Sequence, residues 1–200
     1  MIGLTPMIGS RDSSHFARLY EANPDPWGFR TDPYEQEKYR HSIEVLGGDH
    51  FASGLEVGCS IGVLTRRLAA RCKTLLAVDI VDQPLEAAAK RCANQPWVRF
   101  QRLQVPNEWP GQRFDLIVLS EVLYFLSPAD IDRCARHAAD SLLPGAKVLL
   151  VNWLGQSDDP CSGDQAADRF IAATAAMAGS LTVTVQDRRP RYRLDLLAES

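Results

Sequence analysis

Two stretches of the chain are apolar along their length, without the polar alternation of a half-exposed strand. They are the segments TLLAVDI (74–80) and FDLIVLS (114–120). Such segments are typical of strands that a parallel sheet buries on both faces. Strand and helix patterns alternate five times before two final strands joined by the short turn RRPR. The alternation predicts an α/β fold in which a mostly parallel seven-stranded sheet carries helices on both faces and ends in an antiparallel hairpin.

The helices of this pattern have recognisable start and stop signals. Asp32 is a candidate N-cap with a proline after it, and Glu35 stands where it would complete a capping box. Ser127 opens a later helix, which the Pro-Gly pair at 144–145 is expected to stop. Between these two helices, the segment VLTRRLAARC (63–72) is predicted to form one helix with an apolar face.

The composition fits a single soluble domain and gives no support for several classes of partner. With 200 residues, 46% of them apolar and 24% charged, the chain can bury one core. A net charge of −3 gives no electrostatic reason to expect nucleic acid or an anionic membrane as a partner. No apolar run approaches the ~20 residues of a membrane span. The five cysteines are odd in number and form no CxxC pair, which favours reduced thiols in a cytoplasmic protein without a metal site.

A loop of small residues, GCSIG (58–62), directly follows the first core strand. In an open parallel sheet, ligands bind beyond the carboxyl ends of the strands, close to such a loop. The loop departs from the dinucleotide fingerprint GxGxxG, because Ser60 and Val63 replace its second and third glycines. Asp79 ends the second core strand, where a carboxylate can accept two hydrogen bonds from a ribose diol. Loop and acid together predict a nucleoside ligand without a pyrophosphate.

Four segments in order resemble the class I S-adenosylmethionine-dependent methyltransferases. They are LEVGCSIG (55–62), LLAVDI (75–80), FDLIVLSEVLYFL (114–126) and LLPGAKVLLVNW (142–153). The segments DPWGFRTDPYEQEKY (25–39) and SEVLYFL (120–126) are most similar to the NodS nodulation N-methyltransferases. The resemblance covers residues 20–155 and implies a single-domain Rossmann-like methyltransferase fold. Residues 1–50 would form a helical lid segment, 51–155 the cofactor-binding core, and 156–200 a C-terminal helix and hairpin.

The resemblance implies S-adenosyl-L-methionine as the cofactor and S-adenosyl-L-homocysteine as its product. The lid, the glycine loop and the strand ends would then supply the cofactor-binding residues, namely Trp27, Lys38, Glu56, Gly58, Cys59, Ser60, Gly62, Asp79, Ile80, Gln104, Val105 and Ser120. Two departures from the family pattern are expected to affect the affinity for the cofactor. Ser60 replaces the central glycine, and Gln104 stands where an acidic residue often faces the adenine.

Several of these residues also have an ordinary structural interpretation. Gly58 and Gly62 could simply permit a tight strand-to-helix turn. Asp79 could cap the following helix, although Asp82 is better placed for that role. Glu56 could stabilise the loop through its amides instead of contacting the methionine amino group of the cofactor.

Glu121 and Tyr124 follow the fourth strand, where the resemblance places the transferred methyl group opposite its acceptor. They are the predicted catalytic residues, able to orient an amine and ease its loss of a proton. Their ordinary alternative is a solvated carboxylate and a half-buried ring, and the same alternative applies to Asn152 and Trp153 after the fifth strand. The lid segment adds an aromatic candidate, Tyr34, which could contact a ligand or merely pack a helix.

The resemblance implies transfer of a methyl group by in-line displacement to a small-molecule acceptor. A sulfonium methyl is already electrophilic, so the main requirement is a lone pair aligned behind it at about 3 Å. No histidine in these segments offers a base for an alcohol, which favours an amine as acceptor. The NodS resemblance implies an amino sugar of a chitooligosaccharide, bound by a monomer or a homodimer. Two alternatives remain open: a catalytically inactive cofactor-binding domain and a nucleotide-dependent oxidoreductase.

Overall fold

The computed structural model describes residues 9–177 and 181–199, which build one seven-stranded sheet flanked by six α-helices. The strands are β1 (Phe51–Val57), β2 (Cys72–Asp79), β3 (Val98–Arg102), β4 (Phe114–Ser120), β5 (Leu142–Trp153), β6 (Leu181–Arg188) and β7 (Tyr192–Glu199). The helices are α1 (Ser13–Ala22), α2 (Pro33–Glu44), α3 (Val63–Leu68), α4 (Asp82–Arg91), α5 (Pro128–Asp140) and α6 (Gly163–Ala175).

The strands lie in the order β3-β2-β1-β4-β5-β7-β6. The first five in this order are parallel, β7 pairs antiparallel with β5, and β6 pairs antiparallel with β7. The chain runs outwards from β1 to β3 and then returns to the other side of β1 for β4. Because the strand order reverses there, a crevice opens beyond the carboxyl ends of β1 and β4, which is where such sheets bind ligands. The predicted fold class, including the C-terminal hairpin, is confirmed.

The sheet is buried on both faces, as the apolar strands indicate. Alternate residues of β4 enter opposite cores: Ile117 and Leu119 pack among residues of α5 and α6, whereas Leu116 and Val118 pack among residues of α1 to α3. All four are fully buried. Each apolar side chain of this kind contributes about 1.5–3 kcal/mol relative to an exposed one, so both cores depend on the central strand. Among the described residues, no helix has both the length and the apolarity needed to cross a membrane.

The strand β5 begins earlier than the sequence predicts. The expectation that α5 continues to the Pro-Gly pair is wrong, because the helix ends at Asp140. The N–H of Phe114 donates to the carbonyl oxygen of Ser141 at 2.8 Å, and Phe114 pairs with Leu142 in the sheet. The chain therefore pairs with β4 as a strand directly after the helix ends. Gly145 adopts φ +74 inside an irregular part of β5, where glycine tolerates left-handed backbone.

The first core helix is also shorter than predicted. Helix α3 ends at Leu68, a short 3₁₀ turn follows, and Cys72 is already the first residue of β2. Cys72 pairs with Phe51 at the start of the parallel ladder between β1 and β2. This pairing requires extended backbone, so the helical pattern of the segment stops before it.

The start of α2 agrees with the sequence in part. Asp32 is the N-cap, and its carboxylate accepts from the N–H of Tyr34 at 2.8 Å. The predicted capping box is wrong, because the Glu35 carboxylate does not return to the cap. It is buried against the ammonium group of Lys38, one turn further along the helix. Glu35 therefore forms a buried ion pair with Lys38 in place of the predicted capping box.

Candidate active site

A cavity of about 420 Å³ opens in the crevice beyond the carboxyl ends of β1, β2 and β4. Most of the residues that the sequence predicts for the site line it, namely Trp27, Lys38, Gly58, Ser60, Asp79, Ile80, Val105, Glu121 and Tyr124. A smaller cavity shares Gly58, Ser60 and Glu121 with the first and is also lined by Glu56, Cys59 and Ser120. Gly62 and Gln104 line neither cavity.

Glycine is required at two positions of the loop for different reasons. Gly58 adopts φ +81, and a Cβ there would lie 2.3 Å from Cγ2 of Val122 and 3.1 Å from the carbonyl oxygen of Ser120. Gly62 adopts φ +78 just before α3, and its Cβ would lie 2.8 Å from the Cβ of Ala88. Gly58 therefore lets the loop pack closely on the segment after β4 while it lines the cavity, whereas Gly62 permits the turn and lets the loop pack on α4.

Two backbone N–H groups fix the Asp79 carboxylate at the end of β2. Oδ2 accepts from the N–H of Ser60 at 2.9 Å, and Oδ1 accepts from the N–H of Val81 at 3.2 Å. Each oxygen keeps a second lone pair for a ligand. Burial raises the pKa of Asp79 to about 6, against the effect of these N–H groups. Val81 occupies the N-cap position of α4, so the expectation that Asp82 caps this helix is wrong.

Glu56 is a deeply buried carboxyl group beside the loop. The residue is 1% exposed, and its Oε2 has no hydrogen-bond partner among the described residues. Burial raises the pKa of Glu56 to about 8, so the group holds its proton at neutral pH. A buried oxygen without a partner is able to bind a polar group of a ligand in the smaller cavity.

Three donors hold the carboxylate of Glu121 after the end of β4. Oε1 accepts from Nζ of Lys38 at 2.7 Å, and Oε2 accepts from the hydroxyl of Tyr124 at 2.8 Å and from the N–H of Trp153 at 3.0 Å. The Glu121 backbone has φ +59, a left-handed conformation that residues with side chains rarely adopt. Its side chain is only 13% exposed, so it is not a solvated surface carboxylate. Three of its four lone pairs are used, which leaves one for a ligand.

Lys38 joins two carboxylates in a buried charge cluster with Glu35 and Glu121. Its Nζ lies 3.0 and 2.9 Å from the two oxygens of Glu35, and the residue is 1% exposed. Burial alone would lower the pKa of Lys38, but the charges of Glu121 and Glu35 raise it above its usual value. With all three groups ionised, this Glu35–Lys38–Glu121 cluster carries one net negative charge. All three residues line the large cavity.

Tyr124 is a buried ring rather than a half-buried one, because the residue is 7% exposed. Burial raises the pKa of its phenol well above the usual value, and the charge of Glu121 adds to the effect. The group therefore keeps its proton and acts as a donor to Glu121. It is not a source of phenolate at neutral pH.

The N-terminal segment supplies more of the cavity wall than the sequence indicates. Residues that were not predicted line the cavity from α1 and the loop after it, namely Phe16, Leu19, Tyr20 and Phe29. The hydroxyl of Tyr20 forms a hydrogen bond with Oγ of Ser60 at 2.5 Å. The apolar residues of α1 were the available signal, but such a pattern identifies a buried face without showing what it covers.

Two arginines, Arg11 and Arg191, also line the cavity together with the residues they contact, and of these residues the sequence singled out only Tyr34. Arg11 donates to Asp159 at 2.9 Å and to the carbonyl oxygen of Asp158 at 2.7 Å. The guanidinium of Arg191 lies 3.7 Å from the centre of the Tyr34 ring, in a cation–π contact. These contacts join the N-terminal segment to the loop after β5 and to the turn before β7.

Other predicted residues have more modest surroundings. Trp27 is 37% exposed and stacks on Phe29 with ring centres 5.3 Å apart. The backbone N–H of Gln104 donates to Glu108 at 2.8 Å. Asn152 is fully buried at the end of β5, lines neither cavity, and has no partner for its side-chain amide among the described residues.

Solved structures share the fold of this chain. N-methyltransferase NodS from Bradyrhizobium japonicum, in complex with S-adenosyl-L-homocysteine, aligns with a TM-score of 0.80 and 21% identity over 94% of this chain and 99% of that one. A putative methyltransferase from Pseudomonas syringae aligns with a TM-score of 0.69 and 29% identity over 83% of this chain and 99% of that one.

Sequence comparisons place the chain in a family. Nodulation protein S of Bradyrhizobium diazoefficiens is 35% identical over 128 residues, which cover 63% of this chain and 61% of the relative. Nodulation protein S of Sinorhizobium fredii is 32% identical over 130 residues, which cover 64% of this chain and 60% of the relative. The chain thus spans about three fifths of the length of these relatives. The family model of nodulation protein S (NodS) matches residues 13–151, including the glycine loop, Asp79 and Glu121, and the chain therefore belongs to the NodS family.

Proposed function

We propose that the chain is an S-adenosyl-L-methionine-dependent methyltransferase that transfers a methyl group to an amine of a small-molecule acceptor. The main observation in support of the proposal is that Gly58, Asp79 and the Glu35–Lys38–Glu121 cluster line the same cavity. The first pair suits a nucleoside, and the cluster suits a cationic acceptor. The relative from Bradyrhizobium japonicum is an N-methyltransferase crystallised with S-adenosyl-L-homocysteine, which supports the same cofactor here.

The residues on the cofactor side fit S-adenosyl-L-methionine. Gly58 lines the cavity, and Asp79 has a free lone pair on each oxygen for the two hydroxyls of a ribose. The unpaired Oε2 of Glu56 can bind the amino group of the methionine part. Ile80 and Val105 add apolar surface to the wall. When bound, the cofactor supplies an electrophilic methyl group on a sulfonium sulfur, and the protein's task is to align the acceptor and exclude water.

On the acceptor side, Glu121 orients the amine instead of removing its proton. Lys38, Tyr124 and the N–H of Trp153 hold the Glu121 carboxylate in one orientation. Its remaining lone pair can accept an N–H of the acceptor and hold the nitrogen lone pair in line with the methyl group. Tyr124 keeps its phenolic proton and fixes Glu121 from the other side. An acceptor that enters as an ammonium first releases one proton to solvent, and the neutral amine then attacks without a strong base, whereas an alcohol would need one.

The finer proposal for the acceptor is an amino sugar, the deacetylated glucosamine end of a chitooligosaccharide. Membership of the NodS family supports it. The net negative charge of the Glu35–Lys38–Glu121 cluster would attract the ammonium form of such a sugar into the cavity. Asp158 also lines the cavity with a side chain that is 96% exposed; its Oδ1 lies 3.2 Å from the guanidinium of Arg11, and its other oxygen can accept from sugar hydroxyls.

Methyl transfer from labelled S-adenosyl-L-methionine tests this proposal. We expect label on a deacetylated chitooligosaccharide and none on the fully acetylated oligosaccharide, which matches it except for the free amine. Binding of S-adenosyl-L-homocysteine without transfer to any amine would indicate a catalytically inactive domain instead. Stabilisation of the chain by NAD(H) and not by S-adenosyl-L-homocysteine in a thermal-shift comparison would indicate an oxidoreductase.

A further inference from the structure

Ser60 occupies a position at which a side chain is disfavoured. Its backbone has φ +47, in the left-handed region, and it lies between Gly58 and Gly62, which have φ +81 and +78. Glycine adopts such angles freely, whereas a residue with a Cβ is strained there. A serine in this place therefore needs a contact that offsets the strain.

The hydroxyl of Ser60 makes such a contact with the N-terminal helix. Its Oγ lies 2.5 Å from the hydroxyl oxygen of Tyr20, and the two residues are 8% and 3% exposed. Tyr20 lies near the end of α1, and its carbonyl oxygen accepts from Nε2 of Gln83 in α4 at 3.1 Å. Both Tyr20 and Ser60 line the cavity. The helix α1 is thus fixed to the glycine loop by a buried hydrogen bond and to α4 by a partly buried one.

The same serine continues this connection to the predicted ribose-binding group. Its backbone N–H donates to Oδ2 of Asp79 at 2.9 Å. Ser60 is therefore held through its side chain by Tyr20 and through its backbone by Asp79. A change at Tyr20 can alter both the loop conformation and the orientation of the carboxylate, although Tyr20 lies 40 residues before the loop.

We propose that Tyr20 is a positioning residue for the cofactor, acting through Ser60. Its hydroxyl holds the strained loop in the conformation that binds the nucleoside, and the bond makes α1 part of the cofactor site. The inference rests on the proposed function, because it assumes that the cavity binds S-adenosyl-L-methionine. The inference gives Ser60 a function in the loop. The family pattern alone would indicate that replacing the central glycine weakens the site.

Calorimetric titration with S-adenosyl-L-homocysteine tests the inference with Ser60→Gly, Tyr20→Phe and the double variant. We expect each single variant to bind about five- to tenfold more weakly, as loss of one buried hydrogen bond predicts. The double variant should be no weaker than either single variant, because both remove the same bond. Without ligand, Ser60→Gly should melt no lower than the wild type, since it also relieves strain. In Ser60→Gly the affinity for S-adenosyl-L-homocysteine would then fall without a fall in the melting temperature, which separates an effect on binding from an effect on folding.

An opposite result for Ser60→Gly would overturn the inference. If the serine is only a tolerated defect, restoring glycine should leave the affinity unchanged or increase it. This variant decides the question even if Tyr20→Phe fails to fold. Tyr192→Phe is the matched control, because Tyr192 is a buried tyrosine bonded to His41 at 2.8 Å and does not line the cavity. It should bind the ligand as the wild type does. Absence of binding by the wild type would overturn the proposed function itself, a result distinct from undiminished binding by the variants.

Discussion

Three carboxyl groups define the site at the scale of single residues, and each has a different environment. Asp79 is fixed by two backbone N–H groups, Glu56 is buried without a partner for Oε2, and Glu121 is held by an ammonium, a phenol and an amide. In the proposed function these environments suit them to different tasks: a hydrogen-bond acceptor for a diol, a buried group for an amine, and an orienting group for the acceptor.

Replacing Asp79 should selectively weaken binding of the cofactor product, S-adenosyl-L-homocysteine. In Asp79→Asn the negative charge that we propose accepts both ribose hydroxyls is lost, so we expect S-adenosyl-L-homocysteine to bind about 10- to 100-fold more weakly by calorimetry. Asp82→Asn is the matched control, because the Asp82 side chain is 76% exposed and lies outside the cavity. Equal affinity of the two variants would remove Asp79 from the cofactor site.

Replacing Glu121 should slow the chemistry and leave the cofactor bound. In Glu121→Gln the charge that pairs with Lys38, and that we propose orients the amine, is lost, so we expect kcat to fall about 10- to 100-fold. The affinity for S-adenosyl-L-homocysteine should stay within about twofold, because Glu121 lies on the acceptor side. Glu44→Gln, which changes a surface carboxylate paired with Arg40, serves as the control and should have wild-type kcat. Wild-type turnover by Glu121→Gln would contradict the role.

The buried carboxyl of Glu56 should make stability depend on pH near neutrality. Its pKa is about 8 in the folded chain against an ordinary 4.5, so between these values the folded state holds a proton that the unfolded state has released. Stability contributed by this group is therefore complete below about pH 4.5 and is lost as the pH rises through about 8. The slope is about 1.4 kcal/mol per pH unit between these limits.

Urea unfolding of the wild type and Glu56→Gln between pH 6.5 and 7.5 measures this effect. In that window Asp79, with a folded pKa of about 6, is mainly ionised in both states and contributes little. The free energy of unfolding of the wild type should fall relative to Glu56→Gln as the pH rises. Parallel curves would show that Glu56 is ionised in the folded chain.

At the scale of elements, β4 is the strand on which both cores depend. Val118→Ala removes two buried methyl groups from a fully buried position, so we expect the free energy of unfolding to fall by about 2–3 kcal/mol. Val183→Ala on the edge strand β6 is the matched control, because Val183 is 38% exposed, and it should cost less than about 1 kcal/mol. Chemical denaturation compares the two, and equal losses would contradict a core centred on β4.

Elements differ in how far the sequence predicts them. Strands such as β4 contain a run of consecutive apolar residues, here Leu116 to Leu119, so their position and burial are predictable from the local sequence. The ends of the elements are harder to predict from the sequence. Pairing of Phe114 with Leu142 starts β5 before the Pro-Gly pair. Pairing of Phe51 with Cys72 ends the helical segment of α3 early. Sheet pairing joins residues that are far apart in sequence. Local sequence patterns therefore do not predict where it starts or ends.

At the scale of the whole molecule, the site is assembled from both ends of the chain. The glycine loop and Asp79 were predictable because both lie at strand ends with recognisable spacing. The contact of Lys38 with Glu121 spans 83 residues, and that of Tyr20 with Ser60 spans 40. Neither has a sequence signature, because a buried ion pair and a buried hydroxyl pair depend on how α1 and α2 pack on the sheet. Helices that the sequence describes only as a lid thus contribute charge and hydrogen bonds to the cavity.

A crystal structure of the chain with S-adenosyl-L-homocysteine tests the central claim most directly. The account predicts both ribose hydroxyls within hydrogen-bond distance of the Asp79 oxygens and the nucleoside against the backbone at Gly58. The sulfur should lie on the side of the cavity that holds Glu121. A ligand bound elsewhere, or a ribose that makes no contact with Asp79, would contradict it.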